Sequence, residues 1–258
     1  MLDFVERLTL YPWMIMESDI TMLRNSGFPD STILHIVLGC AHFNYLNRMA
    51  DGIGIRFEYQ TDVPESNSRA SVPEQAIMTQ PVSPRIVGTR PGWIASLDSE
   101  GTRDQLRPRQ NLYLLLSYNP EARDLACEWR SYQLSETSQL DATVRHQLGL
   151  YISGLNGCEY SAYWLKKDLD NLGEPKLCGE LLASGELPAD LPASERVLFG
   201  HARRLTREPA TTNEENINQL RQAGLDDHGI LQLTMLCSYF SFENRVALGL
   251  GLAIESDP

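Results

Sequence analysis

The feature that most constrains this chain is that it repeats itself. Shifted by 197 residues, its opening segment lies on its closing segment without a gap. "RLTLYP" (7–12) falls on "RLTREP" (204–209), "ITMLRNSGFPDSTIL" (20–34) on "INQLRQAGLDDHGIL" (217–231), and "CAHFNYLNRMADGIG" (40–54) on "CSYFSFENRVALGLG" (237–251). Of the 57 positions from Leu2 to Glu58, 20 are identical, including Gly27/Gly224, Cys40/Cys237, Asn47/Asn244 and Arg48/Arg245. Chance does not give such an ungapped match. Residues 1–58 are a half-module that repeats 199–255, and the fold must accommodate both copies of one supersecondary unit.

Both copies read as helices. A short helix ends at "RLT", ahead of Pro12 or Pro209. An amphipathic segment follows, with Ile20 and Leu23, or Ile217 and Leu220, on one face. It stops at Gly27 or Gly224, where a left-handed cap is expected. Asp30 or Asp227 then stands near the start of a third, longer helix, where an acid complements the dipole. That helix is apolar on most sides for about five turns, which predicts burial among other helices. It ends at Gly52-Ile53-Gly54 or Gly249-Leu250-Gly251. Cys40 and Cys237 lie within it and read as core residues. Arg48 and Arg245 read as structural, each pairing with a buried carboxylate or capping backbone carbonyls.

Residues 59–92 are rich in Pro, Ser and Thr, have no periodicity and read as a linker. A second organised region, 93–258, begins near Trp93. Pro120 divides 110–134 into two helices or kinks one. Residues 139–155 suit a helix that buries Val144, Leu148, Tyr151 and Ile152, and Cys158 opens another that runs to about Leu172. "SLDSEG" (96–101) and "SGELPADLPASE" (184–195) read as solvated loops. No segment shows convincing strand alternation, so the expected class is all-α.

Composition narrows the function. A net charge of −12 and an isoelectric point near 4.9 leave no basic footprint for nucleic acid or for an anionic membrane surface. No apolar run reaches the ~20 residues of a membrane span. "LTLYPWMIM" (8–16) is short, is broken by Pro12 and lacks the basic start of a signal peptide. Five cysteines (Cys40, Cys127, Cys158, Cys178, Cys237) are an odd, scattered set that fits a reducing cytoplasm better than a disulfide framework.

The stretch "NGCEYSAYW" (156–164) carries the candidate chemistry. Cys158 stands just past an Asn-Gly turn at the start of a helix, where free N–H groups and the dipole favour a thiolate. The competing reading is a small buried cysteine at a tight junction. His146, twelve residues earlier, would serve as its base if the chain reverses at Gly154–Gly157; otherwise it is an interfacial histidine. Glu159 and Tyr160, in the first turn, could supply a proton or a hydrogen bond, although Glu159 also suits the dipole. Ser161 occupies the position where a dithiol site would need its second cysteine. His35 and His42, seven apart on one helix face, lack a nearby third ligand and read as packing or surface residues rather than a metal site. No metal or cofactor is implied.

Together these residues resemble the carboxymuconolactone decarboxylase and alkylhydroperoxidase D-like superfamily, in particular its peroxidase-related branch. The resemblance covers roughly 93–258. It rests on "VRHQLGLYISGLNGCEYSAYW", on "ERVLFGHARRLTREPATTNEENINQLRQAGLDDHGILQL" and on "YFSFENR" before the closing glycines. It implies an all-α, alkylhydroperoxidase D-like helical bundle, assembly into homo-oligomers, and a Cys-x-x-Cys at a helix start that reduces hydroperoxides with a thiol reductant. Carried over by position, the first cysteine is Cys158 and the second corresponds to Ser161. The relay glutamate corresponds to His146, and the two relay histidines to Tyr160 and Leu165. A serine hydroxyl forms no disulfide, so the usual two-thiol cycle cannot run there. Cys178 could resolve an oxidised Cys158 only with the two Cα atoms within roughly 7 Å.

Three functions follow as expectations. One is a single-thiol oxidoreductase acting on a small organic substrate through Cys158. Another is a non-catalytic oligomeric relative with an assembly or binding role. The third is a thiol-independent decarboxylase or lactone-type enzyme using His146, Tyr160 and Glu159. Residues 1–58 lack the helices that should precede them, so Met1 begins mid-domain. They are expected to pack on the main domain as the matching half of a partner would, giving a pseudo-two-fold dimer in one chain. A remnant of gene fusion, or a start codon placed too late, are the blander readings.

Overall fold

The computed structural model describes residues 1–55, 90–95, 110–134, 138–173 and 176–255, and their regular structure is entirely helical. The first copy contributes α1 (Leu2–Leu10), a 3-10 turn (Pro12–Met14), α2 (Glu17–Asn25) and α3 (Asp30–Ile53). The single-copy middle is α4 (Gln110–Leu116), α5 (Pro120–Gln133), α6 (Ala142–Leu155), α7 (Glu159–Asn171) and α8 (Lys176–Ala183). The second copy is α9 (Ala193–Arg207), a 3-10 turn (Pro209–Thr211), α10 (Glu214–Gln222) and α11 (Asp227–Leu250). The all-α class expected from the sequence is the class observed. Most of the 59–92 linker and all of 96–101 lie outside the described residues. Within the described residues no helix is long and apolar enough to cross a membrane.

Equivalent residues build the two copies. Gly27 (φ 90°) and Gly224 (φ 104°) turn the chain after α2 and α10, and Gly54 (φ 65°) and Gly251 (φ 61°) cap α3 and α11 in left-handed conformations that favour glycine. Arg24, in the last turn of α2, reaches Asp30 at the start of α3 at 2.7 Å, and Arg221 reaches Asp227 at 2.9 Å. Pro12 and Pro209 each open a 3-10 turn, where a missing N–H costs nothing.

Contacts between the copies are reciprocal. Arg48 donates to Thr206 O (3.2 Å) and its counterpart Arg245 donates to Thr9 O (2.8 Å), Thr9 being the counterpart of Thr206. A Cβ on Gly52 would meet Thr234 Cγ2 at 2.5 Å and Leu205 at 3.2 Å. On Gly249 it would meet the equivalent Val37 at 2.9 Å and Leu8 at 3.2 Å. When residue i touches j and the copy of j touches the copy of i, the two units are related by an approximate two-fold axis. That axis runs between α3 and α11, which pack together along their length.

Two apolar clusters result. The first gathers α1, α3, the turn before α7 and the end of α11 around Leu8, Ile33, Val37 and Leu250. The second gathers α6, α7, α9 and the first half of α11 around Leu148, Phe199, Leu233 and Phe240. Pro120 does divide its segment into two helices, and the Asn119 side chain caps α5 by accepting from Ala122 N (3.1 Å). Asp141 caps α6 by accepting from Thr143 N (2.8 Å), so that helix starts at Ala142 rather than at residue 139. Sequence periodicity did not anticipate α8. A Cβ on Gly154 would stand 2.5 Å from Leu182 O, so this glycine lets α8 lie directly on α6.

One core residue departs from the repeat. His201, on α9, replaces the Phe4 of the first copy; it is 4% exposed, and neither ring nitrogen has a hydrogen-bond partner among the described residues. Burial pushes its pKa down to about 4. The imidazole is therefore neutral in the fold, while in the unfolded chain it titrates near ~6.5. Stability is full above that value and is lost as pH falls towards 4, by about 3 kcal/mol. His201→Phe is expected to move the midpoint of acid unfolding, followed by circular dichroism, to lower pH. At the two-fold contact, Gly52→Ala and Gly249→Ala are each expected to lower stability by about 1–3 kcal/mol in chemical denaturation, because each Cβ meets the other copy.

Candidate functional site

Cys158 sits where α6 hands over to α7. Gly157 adopts φ 63°, which lets the chain reverse, and Cys158 N–H donates back to Ser153 O (2.9 Å). The residue is the N-cap of α7, at the helix start that the sequence indicates. Its side chain is only 1% exposed and belongs to the first apolar cluster. The crevice beside it holds about 10 Å³ and is walled by Ala247, Leu248, Leu252 and Ile254. That is room for about one water and too little for an organic hydroperoxide. The first copy closes the turn from outside. A Cβ on Gly157 would lie 2.9 Å from Trp13 Cβ, and Arg207 stacks on the Trp13 ring (4.9 Å) while donating to Leu155 O.

Of the other residues named from the sequence, Glu159 and Tyr160 line the same crevice and His146 does not. α6 and α7 run antiparallel, so His146 comes level with Asp168, roughly 15 Å along α7 from Cys158 at 1.5 Å per residue. Its Nδ1 bonds Ala142 O (2.7 Å) in its own helix. Burial lowers its pKa, with Asp168 and Arg130 as charged neighbours. Tyr160 turns to the chain's end: its hydroxyl donates to Glu255 Oε1 (2.9 Å) and accepts from Leu112 N (3.3 Å), while Trp164 Nε1 holds Glu255 Oε2 (3.0 Å). This ties α4, α7 and the C-terminal segment together. Glu159 is half-buried at the edge of the small crevice. Cys178, on α8, lies against Gln147 (3.7 Å) and the second cluster, whereas Cys158 belongs to the first.

Ser161 leads to the principal polar cluster. Its hydroxyl, fully buried, donates to Glu243 Oε1 (3.3 Å) on α11. Glu243 is 2% exposed and its Oε2 accepts from Tyr239 Oη (2.7 Å) and from Arg130 (2.9 Å) on α5. Arg130 extends the chain of charges to Asp168 (3.4 Å). Burial opposes the Arg130 charge, yet Glu243, with Asp168 further along, holds the pKa above the ordinary arginine value. Burial, and then Glu243, push Tyr239 well above the usual phenol range, so it stays a neutral donor.

This cluster forms the floor of a cavity of about 510 Å³ between α3, α4, α5 and α11. Its walls are apolar and aromatic, with Leu38, Leu112, Trp129, Phe242 and Val246 prominent, and Tyr239 and Glu243 close the inner end. His35 and His42 are exposed on its rim; His35 Nδ1 bonds Ser31 O (2.7 Å) and the His42 ring stacks on Tyr45 at 6.5 Å. Among the described residues no three His, Cys, Asp or Glu side chains converge as a metal site. Sequence reasoning missed Glu243, Tyr239 and Arg130. The available signal was a glutamate inside an otherwise apolar helix, at a position where the other copy has Leu46.

The geometry has counterparts among solved structures. An uncharacterized peroxidase-related protein from Silicibacter sp. TM1040 is 24% identical, with a TM-score of 0.52 over 55% of this chain and 74% of that one. The alkylhydroperoxidase AhpD core of an uncharacterized peroxidase-related protein from Ralstonia eutropha JMP134 is 20% identical, with a TM-score of 0.52 over 55% and 75%. The likeness is one of fold, and it makes the helical arrangement alkylhydroperoxidase D-like. No family model and no curated protein matches the chain.

Removing one member of a buried ion pair strands the other. Glu243→Gln is therefore expected to cost about 3 kcal/mol in chemical denaturation. Adding Arg130→Met to that variant should recover most of the loss, since the buried guanidinium, left with only the longer Asp168 contact, is then gone.

Proposed function

We propose that this protein binds a small organic molecule without thiol chemistry, on an alkylhydroperoxidase D-like frame whose two-thiol site has been replaced. Its working site is the cavity above Tyr239 and Glu243. The observation that carries this reading is the contrast between two places: Cys158 is 1% exposed beside a crevice of about 10 Å³, while the cavity of about 510 Å³ ends on the cluster that Ser161 has joined. Mostly apolar clefts or cavities of ~300–1,000 Å³ with a few polar groups are the usual form of ligand sites. Both oxygens of Glu243 already accept hydrogen bonds and Arg130 balances the charge, an arrangement suited to orienting a ligand.

A single-thiol oxidoreductase would need a substrate to reach Cys158 past Ala247, Leu248, Leu252 and Ile254, which wall its crevice. Proton transfer by His146, Tyr160 and Glu159 would need those groups to converge, but His146 lies by Asp168 and Tyr160 is bound to Glu255. The small-molecule partner remains part of this reading, and a thiol reductant does not.

The test is hydroperoxide consumption with a dithiol reductant, run on the natural protein and on Cys158→Ser. The expected result is the same rate for both, no faster than the uncatalysed reaction. In parallel, Cys158 should resist a disulfide-exchange reagent until denaturant is added. Turnover that disappears in Cys158→Ser would sink the proposal.

A further inference from the structure

The glycines inside the helices differ in what surrounds them. A Cβ on Gly52, Gly149 or Gly249 would come within 3 Å of a side chain from another helix, so close packing accounts for each. Gly39, in the interior of α3, is different: nothing lies within 4 Å of where its Cβ would be. A glycine there weakens the helix relative to alanine, and no neighbouring helix requires it. Its counterpart in the second copy is Leu236, which is 1% exposed and fills its place in the core. Gly39 lines the cavity. The side chain present in one copy and missing in the other corresponds to the space that the cavity occupies.

The walls indicate what that space takes. Trp129 packs edge-on against Tyr239 (5.1 Å) and tilted on Phe242 (5.1 Å), and Tyr113 adds a further ring. Such faces favour an aromatic guest, stacked or edge-on. A charged guest in this setting would need a counter-ion. The carboxylate at the inner end is already matched by Arg130, so a net charge that a ligand carried to that end would be buried without compensation. Tyr239, whose hydroxyl donates its hydrogen bond to Glu243, keeps an oxygen lone pair that can accept from a hydroxyl or N–H on the guest.

We propose that the cavity binds an uncharged aromatic molecule seated over Gly39, with the duplicated N-terminal half supplying that wall of the site. The proposal rests on the preceding reading that the cavity is the working site. It makes Gly39 and α3 determinants of ligand size, although they lie outside the 93–258 region that resembles the wider fold.

The probe is N-phenyl-1-naphthylamine, a neutral aromatic fluorophore, titrated into the full-length protein, Gly39→Ala, Gly39→Leu and, from the opposite wall, Ala126→Phe. The natural protein should bind it saturably at one site. Gly39→Leu and Ala126→Phe should each lose at least tenfold in affinity, with Gly39→Ala intermediate. Thermal melting should show Gly39→Ala at least as stable as the natural protein, unlike a glycine kept for packing. The sulfonated analogue 8-anilino-1-naphthalenesulfonate should bind at least tenfold more weakly than the neutral probe. Absence of saturable binding, or unchanged affinity in both filled variants, would overturn the proposal. Saturable dodecanoate binding abolished by Gly39→Leu, with no binding of the neutral probe, would overturn the ligand class and leave the cavity as the working site. Cys158-dependent peroxide turnover would defeat the earlier reading instead.

Discussion

The structure depends on two buried guanidiniums exchanged across an approximate two-fold axis. Arg48 and Arg245 are almost completely enclosed, and they donate to uncharged oxygens: Arg48 to Asn44 and Thr206 O, Arg245 to Ser241 O and Thr9 O. Thr9 and Thr206 lie near the C-terminal ends of α1 and α9, where free carbonyls and the negative end of the helix dipole collect. Each half thus uses its arginine to close a helix of the other half. Burial lowers the pKa of both groups, to about 10 for Arg48, and the nearby Arg48 and Arg207 charges lower that of Arg245 further. Charges held at such cost tolerate few alternative registers, so the pair fixes how α3 lies on α11.

That register has consequences well beyond the axis. With α3 locked against α11, Gly52 and Gly249 interdigitate with the opposite copy, and Trp13 is brought down on the Gly157 turn. Cys158, the next residue, is buried in the apolar cluster to which this copy contributes Leu8, Ile33 and Val37. The same placement sets the other face of α3 opposite α5 and leaves the cavity between them. The first copy therefore closes one site and opens another. Glu243 links the two regions, because α11 carries it between Ser161 on α7 and Arg130 on α5.

Much of the fold was legible in the residues. The repeat set the order of helices at both ends. The glycines at 27, 54, 224 and 251 marked the helix ends because a left-handed residue there is a local steric requirement, readable wherever it occurs. Pro120 and the position of Cys158 at a helix start were readable for the same reason. The boundary of α6 slipped by three residues because Asp141 captured the helix start with its own side chain. The site was less legible. Proximity in sequence suggested that His146 serves Cys158, yet an antiparallel hairpin pairs residues by distance from the turn, and His146 is level with Asp168. Glu243, Tyr239 and Arg130 come from two helices far apart in the chain, and no local spacing connects them.

By itself the sequence determined the all-helical class, the duplicated half and the thiol at a helix N-terminus, since periodicity, steric caps and self-similarity are properties of neighbouring residues or of direct comparison. Only the tertiary structure decided that this thiol is enclosed, that the paired arginines cap each other's halves, and that the cavity lies over Gly39. Burial and empty space depend on which distant side chains arrive at a place and which do not, and a glycine looks the same in a sequence whether another helix presses on it or nothing does.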